Sequence, residues 1–235
     1  MIKLISFSNW FYGADIILDL LSLFIILVIL FSSIKYFKLN KSNSKYKYLI
    51  ASFSLLSFSF LAKVLSHIVI YSHDFATKQI GIINLTYQTI SHSTTLVFWG
   101  ILLYRIFSLL ALYLFFLIYS EHIEKRTQIL IVYLLVMLGF LSHTRFFAYH
   151  LTFSVLLLLN ISSLIRRNKL HKTKQTSFLI TGFSILFLSQ LTFTFISLAP
   201  PIYLIGEAIQ LIGYSTIFIG FFKVISNGVK KKRKN

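Results

Sequence analysis

Seven long apolar stretches dominate this sequence and limit what it can fold into. A membrane-spanning helix needs about 20 apolar residues, because each residue advances the helix by about 1.5 Å and the hydrocarbon core is about 30 Å thick. The predicted spans are Tyr12–Phe37, Tyr48–Tyr71, Leu96–Tyr119, Thr127–Ser142, Phe147–Ile165, Thr176–Leu198 and Pro201–Ile225. We therefore predict an all-α, polytopic bundle of seven transmembrane helices.

The fourth stretch is the shortest, and together with the fifth it could form a helical hairpin that is tilted or only partly inserted. Six spans is therefore the alternative count. The composition supports a membrane protein with either number, since 57% of the residues are hydrophobic and only 12% are charged, against about 25% charged residues in a typical soluble domain. The N-terminus lacks the basic start and cleavage site of a signal peptide, so we expect the first helix to be retained.

The basic residues sort to one side of these spans. Short cytoplasmic loops of membrane proteins are enriched in Lys and Arg. If the N-terminus is outside, 18 of the 23 Lys and Arg fall on the cytoplasmic side, and only Lys3, Lys78 and Arg145 fall on the other. The remaining two, Lys63 and Arg105, lie inside spans. The sequence predicts an outside N-terminus and a cytoplasmic C-terminus in the cell (cytoplasmic) membrane.

The net charge of +17 follows from the same distribution. Nucleic-acid binding would require basic residues along a soluble surface, whereas here they form short clusters between apolar stretches. We expect the lipid bilayer as partner, no nucleic acid, and a cytoplasmic or membrane signalling partner that contacts the basic loops and tail. Residues 1–225 are predicted to form the transmembrane domain and residues 226–235 a basic cytoplasmic tail. The longest predicted connector is His73–Thr95.

Four charged residues in four different spans are predicted to share one layer. Placing a charge in a span costs about 2.5–3.5 kcal/mol on insertion scales, so each needs an explanation. At about 1.5 Å per residue, Asp19, Lys63, Arg105 and Glu207 lie about 9–13 Å from the outer ends of their helices. Their charges sum to zero, and Gln190 reaches a similar depth. The outer half of the bundle is therefore predicted to contain a polar cluster.

The first two spans carry paired ionisable residues. Asp15 and Asp19 are four residues apart, as are Lys63 and His67, so each pair lies on one helix face. In an antiparallel hairpin, Asp19 is expected opposite Lys63 and Asp15 opposite His67. A small polar face beside Lys63 carries three serines spaced seven residues apart, namely Ser52, Ser59 and Ser66.

Glycines form a stripe along the last span. Gly206, Gly213 and Gly220 repeat every seven residues, and small residues at such positions let a neighbouring helix approach closely. Gln210 falls within the stripe and Glu207 beside it. We therefore expect this face to pack against the bundle and to direct Glu207 inward.

The polar cluster has three interpretations. The residues could be ion pairs that fix helix register, they could line an outward-facing cavity for a small polar or lipid-like ligand, or Asp19, His67 and Glu207 could carry protons or ions in a small transporter or translocating subunit. The inner halves of the spans hold few ionisable residues, which favours a cavity over a conduction path. The leading hypothesis is a non-enzymatic, ligand-binding or sensory module.

Catalytic motifs are not found. The sequence has no H-E-x-x-H, G-x-S-x-G or P-loop pattern, and the absence of cysteine excludes disulfides and thiolate metal sites. Asp15, Asp19 and His67 could hold a hard metal ion, which makes an intramembrane metalloenzyme the third hypothesis. We expect no enzyme activity, no cofactor and no metal, and we expect His143 and His150 at the membrane interface.

The stretch Gly206–Tyr214 and the basic loop after the first span resemble those of uncharacterised archaeal seven-helix membrane proteins and of the seven-helix sensor regions that precede some prokaryotic histidine kinases. The resemblance implies a sensory or accessory membrane module. The chain departs from the sensor pattern because we expect no output domain within these 235 residues. An excess of Lys over Arg, 17 to 6, fits a prokaryotic source.

Overall fold

The computed structural model describes residues 13–39, 45–79, 86–120, 123–142, 145–170, 174–196, 199 and 201–232. These residues form seven α-helices: α1 Ala14–Leu39, α2 Lys45–Gln79, α3 Thr86–Tyr119, α4 Lys125–Leu141, α5 Phe146–Leu170, α6 Lys174–Thr194 and α7 Pro201–Lys232. The predicted all-α class is confirmed. Pro201 begins α7, where the missing N–H of proline breaks no helical hydrogen bond.

Six of these helices are long and apolar enough to cross a membrane. They are α1, α2, α3, α5, α6 and α7, with mean hydropathies between 1.5 and 2.7 in their apolar segments. Helix α4 has 17 residues, so at about 1.5 Å per residue it is about 26 Å long. The described part of the chain therefore fits a multi-pass membrane protein with six clear spans and one shorter helix.

The helices pack as a closed bundle with α4 on its outside. Helix α2 packs against α1 and α3, α7 against α1 and α6, and α5 against α3 and α6. Helix α4 packs mainly against α3, and only Leu135 and Gly139 of α4 are buried. Exposed Leu, Ile and Phe side chains cover the outside of the bundle, which is the surface expected to face lipid.

Phenylalanine rings fill the end of the bundle near the start of α2. The ring of Phe53 lies 6.0 Å from Phe115 and 5.3 Å from Phe221, and Phe115 lies 4.9 Å from Phe183, all edge to face. These residues come from α2, α3, α7 and α6. We call this group the aromatic plug, because it occupies the bundle centre between the polar cluster and the basic helix ends.

The glycine stripe of α7 packs against α6, as the sequence predicted. A Cβ added to Gly206 would lie 2.6 Å from Phe193, and one added to Gly213 would lie 2.6 Å from Leu186. Gly220 is also buried. Glycine is needed at the first two positions because any larger side chain would separate the helices.

The serine face of α2 packs against α3. Ser52 Oγ donates a hydrogen bond to the carbonyl of Ala111 at 2.7 Å, and Ser59 Oγ donates to the carbonyl of Tyr104 at 2.9 Å. Ser66 lies where a Cβ added to Gly100 would collide with it, at 1.9 Å. This confirms the predicted polar face, and it explains how α2 and α3 approach so closely.

Several predicted helix ends are wrong. Helix α2 continues to Gln79 and α3 starts at Thr86, so the long connector predicted over His73–Thr95 is mostly helical. Helix α7 likewise continues to Lys232, through most of the predicted tail, while residues 233–235 and Tyr12 lie outside the described residues. Apolar residues mark the part of a helix that contacts hydrocarbon. The helix itself can continue beyond that part into polar residues.

Candidate functional site

Three charged side chains from three helices meet in the half of the bundle where α1 and α7 begin. Lys63 Nζ of α2 lies 2.7 Å from Asp19 Oδ1 of α1 and 2.5 Å from Glu207 Oε1 of α7. All three side chains are at least nine-tenths buried. We call them the charge triad. The predicted opposition of Asp19 and Lys63 is confirmed, and the glycine stripe that turns toward α6 leaves Glu207 directed at Lys63.

A second pair lies one helical turn closer to the start of α1. His67 Nδ1 is 3.6 Å from Asp15 Oδ2 and 3.1 Å from Asp19 Oδ2, although the latter atoms lack the alignment of a hydrogen bond. The predicted register of Asp15 and His67 is therefore confirmed. Their side chains are 12% and 14% exposed, against 0% for Asp19. We call these two residues the outer pair, since they lie between the triad and the end of the bundle where α1 begins.

Aromatic rings enclose the ammonium group of Lys63. Its Nζ lies 5.8 Å from the ring centre of Phe60, 5.4 Å from Tyr104 and 6.0 Å from Tyr203. A cation over an aromatic face is stabilised by the ring quadrupole, more strongly when water is excluded. The rings therefore replace solvent around a charge that would otherwise be costly at this depth. These aromatic residues were not predicted from the sequence, because only the packed structure shows which rings face Lys63.

The cluster contains more carboxylates than fixed cations. Asp19 and Glu207 supply two carboxyl groups next to Lys63, which supplies one ammonium group, and His67 adds a positive charge only when protonated. An uncompensated charge is unfavourable in a membrane interior. A neutral cluster therefore requires additional protons on these groups or a bound cation.

Arg105 does not join the triad, so the predicted set of four mutually neutralising charges is wrong. Its Nη1 donates to the carbonyl oxygen of Ser142 at 2.6 Å and contacts Ser142 Oγ at 3.3 Å. Its guanidinium also lies over the rings of Phe146 and Tyr149, at 5.5 and 5.7 Å. The depth of a residue along its helix does not show that the side chain of Arg105 points toward α4 and α5.

Two glutamines complete the buried polar layer. Gln190 Oε1 of α6 lies 2.7 Å from His150 Nδ1 of α5. The interfacial position expected for His150 is wrong, because this side chain is 4% exposed and its partner lies inside the bundle. Gln210 is equally buried, and its Oε1 has no hydrogen-bond partner among the described residues. His143 lies outside the described residues.

Another polar group joins α3 to α5 beside the triad. The hydroxyls of Ser108 and Tyr149 are 2.8 Å apart, and the ring of Tyr149 lies 5.7 Å from that of Tyr104. Tyr104 also faces Lys63, so polar side chains extend from the triad toward α5. A tyrosine in an apolar run is a weak sequence signal, and neither tyrosine was selected from the sequence.

A separate pocket opens at the opposite end of the bundle, near the basic helix ends. It has a volume of about 430 Å³ and lies between the start of α2, the end of α3 and the start of α4. Its polar lining includes Tyr48, Ser120, Glu124, Lys125 and Gln128. This pocket was not predicted from the sequence, because its walls come from three helices that meet only in the folded bundle.

The chemistry that this site offers is electrostatic. The triad side chains contact each other and form closed ion pairs, and the part of the chain that the structure describes has no group of three or more His, Cys, Asp or Glu placed to hold a metal ion. No protein-family model, no curated protein and no solved structure shows significant similarity to this chain.

Proposed function

We propose that this chain is a sensory module of the cell membrane, in which a change at the outer polar cluster alters the packing of α1, α2 and α7. The outer pair, Asp15 and His67, receives a small polar or ionic ligand or a proton from outside. The charge triad responds by losing or gaining an ion pair. A separate membrane or cytoplasmic partner then binds the basic inner ends of the helices and responds to the altered packing.

The observation that carries this proposal is that Lys63 bonds to two helices at once. Asp19 and Glu207 are far apart in sequence, and each contacts the same ammonium group. Neutralising either carboxylate therefore removes a bond between α2 and one neighbour while leaving the other neighbour attached. Such a shared contact has discrete alternative arrangements, which is the property that a switch requires.

The aromatic plug favours a sensor over a conduction path. Phe53, Phe115, Phe183 and Phe221 pack edge to face across the bundle centre on the inner side of the triad. An ion or proton would have to pass these apolar rings. Signals can still cross this region, because a tilt of a whole helix moves both of its ends.

We further propose that α4 is a seventh crossing, with the N-terminus outside and the C-terminus cytoplasmic. The end of α4 contacts Arg105 through Ser142, and its start follows Tyr119, over whose ring Arg167 of α5 lies at 5.4 Å. Helix α4 therefore covers nearly the same depth as α5. The orientation is supported by the basic residues at the ends of α1, α5 and α7 and at the start of α4, which follow the positive-inside rule.

Hydrogen exchange of the protein in lipid nanodiscs tests the sensory proposal. We expect Glu207→Gln to speed amide exchange in the innermost turns of α1 and α7, far from the substitution, because it weakens the bond that ties α7 to α2. Ile212→Ala is the matched control, since Ile212 lies on the same helix but is 56% exposed toward lipid. Exchange that changes only within one turn of position 207 would refute long-range coupling.

The charge imbalance of the cluster favours one second candidate function, the translocation of protons or cations. In this alternative, the additional positive charge that the cluster requires is a transported ion held by Asp19, Glu207 and His67. Tyr104 and Tyr203 also face the triad, from α3 and α7. Proteoliposomes with an internal pH dye would show a proton flux that Glu207→Gln abolishes. Wild-type vesicles with the permeability of empty vesicles would exclude this function.

A further inference from the structure

Arg105 is a buried cation with no carboxylate partner. Its side chain is 7% exposed, and no Asp or Glu among the described residues lies within 4 Å of its guanidinium, whereas Lys63 has two such partners. A lone charge at a membrane position normally pairs with an opposite charge or marks the site of one. The missing negative charge therefore calls for an explanation.

The contacts that Arg105 does make use only part of its hydrogen-bonding capacity. A guanidinium has five N–H donors in a planar fork. Within the described residues, only Nη1 donates, to the carbonyl oxygen and hydroxyl of Ser142. No described residue accepts from Nε or Nη2, and neither atom is fully buried without a partner. These donors are therefore unused by the described residues and are not completely enclosed.

The guanidinium of Arg105 lies beside the end of α4 and the start of α5. Helical side chains point toward the N-terminus of their helix, which for α3 is the outer end in our proposed orientation. Ser142 and Phe146, which hold the guanidinium, flank the outer turn between α4 and α5. Trp99, six residues farther out on α3, is 51% exposed, as is typical of an aromatic residue at the membrane interface.

A second basic residue lies in the same turn. Arg145 is exposed and stands three residues after Ser142. The outer side of the membrane is otherwise poor in basic residues, with only Lys3 and Lys78 besides Arg145. The positive-inside bias therefore does not explain why one outer turn should carry an exposed arginine next to a buried one.

We propose that the free donors of Arg105 bind the phosphate of an anionic phospholipid head group in the outer leaflet, where α3 meets the end of α4 and the start of α5. Arginine recognises phosphate oxygens in bidentate geometry. The rings of Phe146 and Tyr149 hold the guanidinium plane in place, and Arg145 adds attraction for the net negative charge. This inference concerns a different face of the bundle from the charge triad.

Native mass spectrometry of the purified protein tests this site. The protein is incubated with equal amounts of phosphatidylglycerol and phosphatidylcholine, whose acyl chains are matched. We expect wild-type protein to retain the anionic lipid preferentially and Arg105→Met to lower that preference about fivefold, the ratio that corresponds to about 1 kcal/mol for one arginine near a charged membrane surface. Arg167→Gln is the matched comparison, because Arg167 is an exposed arginine over a tyrosine ring at the opposite end of the bundle, and a loss no larger for Arg105→Met than for Arg167→Gln would mean general attraction and overturn the site.

Two further measurements complete the test. Arg105→Lys retains the charge but not the planar fork, and we expect an intermediate preference, which covers the case that Arg105→Met fails to fold. Inorganic phosphate alone is tested by thermal unfolding of the wild type. Protection by phosphate without any lipid preference would assign the site to a free anion and overturn the head-group assignment. Equal retention of both lipids by the wild type, or an equal anionic preference in wild type and Arg105→Met, would overturn the proposal.

Discussion

Replacing Lys63 by methionine is expected to destabilise the protein more than replacing the whole charge triad. Methionine has nearly the length of lysine, so packing changes little and the loss of the ammonium group dominates. The substitution leaves Asp19 and Glu207 buried beside each other without the cation that contacts both, at 2.7 and 2.5 Å. Breaking a buried ion pair in this way costs about 3–5 kcal/mol.

The triple variant Lys63→Met, Asp19→Asn and Glu207→Gln removes the charges together. Desolvation of ions opposes their mutual attraction, so replacing a complete buried ion network by neutral residues of similar volume is often close to neutral. We expect the triple variant to lose less than about 2 kcal/mol and thus to be more stable than Lys63→Met alone. Lys38→Met, at an exposed position of α1, is the control and should leave stability unchanged.

Reversible unfolding in mixed micelles, followed by circular dichroism as the denaturing detergent fraction rises, measures these free energies. All four proteins are compared at one pH and one ionic strength, because the protonation of the two carboxylates affects the result. A loss below about 1 kcal/mol for Lys63→Met would refute the reasoning, since it would mean that the buried carboxylates do not need the ammonium group. A triple variant no more stable than Lys63→Met would refute it equally.

Three further predictions concern packing and topology. Gly213→Ala should destabilise the protein by about 1–3 kcal/mol in the same assay, because the added Cβ collides with α6; unchanged stability would contradict the close contact. Gln190→Leu should cost about 1–2 kcal/mol by leaving His150 without its partner, and His150→Leu should abolish that difference. Single cysteines at Arg145 and Lys125 should react with a membrane-impermeant thiol reagent added outside cells only at position 145, and labelling of both from outside would exclude α4 as a crossing.

The pairing within the first hairpin could be predicted from the sequence because it depends on local rules. Residues four apart share a helix face, and adjacent antiparallel helices fix the register of Asp19 against Lys63. The contact between Glu207 and Lys63 was harder to predict, yet the glycine stripe of α7 indicated which face of that helix packs inward. These features rest on helical periodicity, which a sequence carries directly.

The environment of Arg105 could not be predicted in the same way. Its depth follows from its position in α3, but its partners depend on where α4 and α5 pack around that helix, and connector lengths alone do not specify this. His150 was misjudged for a similar reason, since its closeness to a turn said nothing about the facing glutamine of α6. The sequence therefore indicated the polar layer, but not its division into the charge triad and the separate contacts of Arg105.

The central claim, that the charge triad controls the packing of α1 and α7, is tested most directly by a distance measurement. Spin labels on Lys38→Cys and Lys223→Cys report the separation of the inner ends of α1 and α7, and both positions are exposed in a chain without native cysteine. In nanodiscs, pulsed electron resonance should show that adding Glu207→Gln shifts the mean distance by about 2–5 Å or adds a second population on that scale. A distance distribution identical to that of the otherwise unaltered labelled protein would contradict the account.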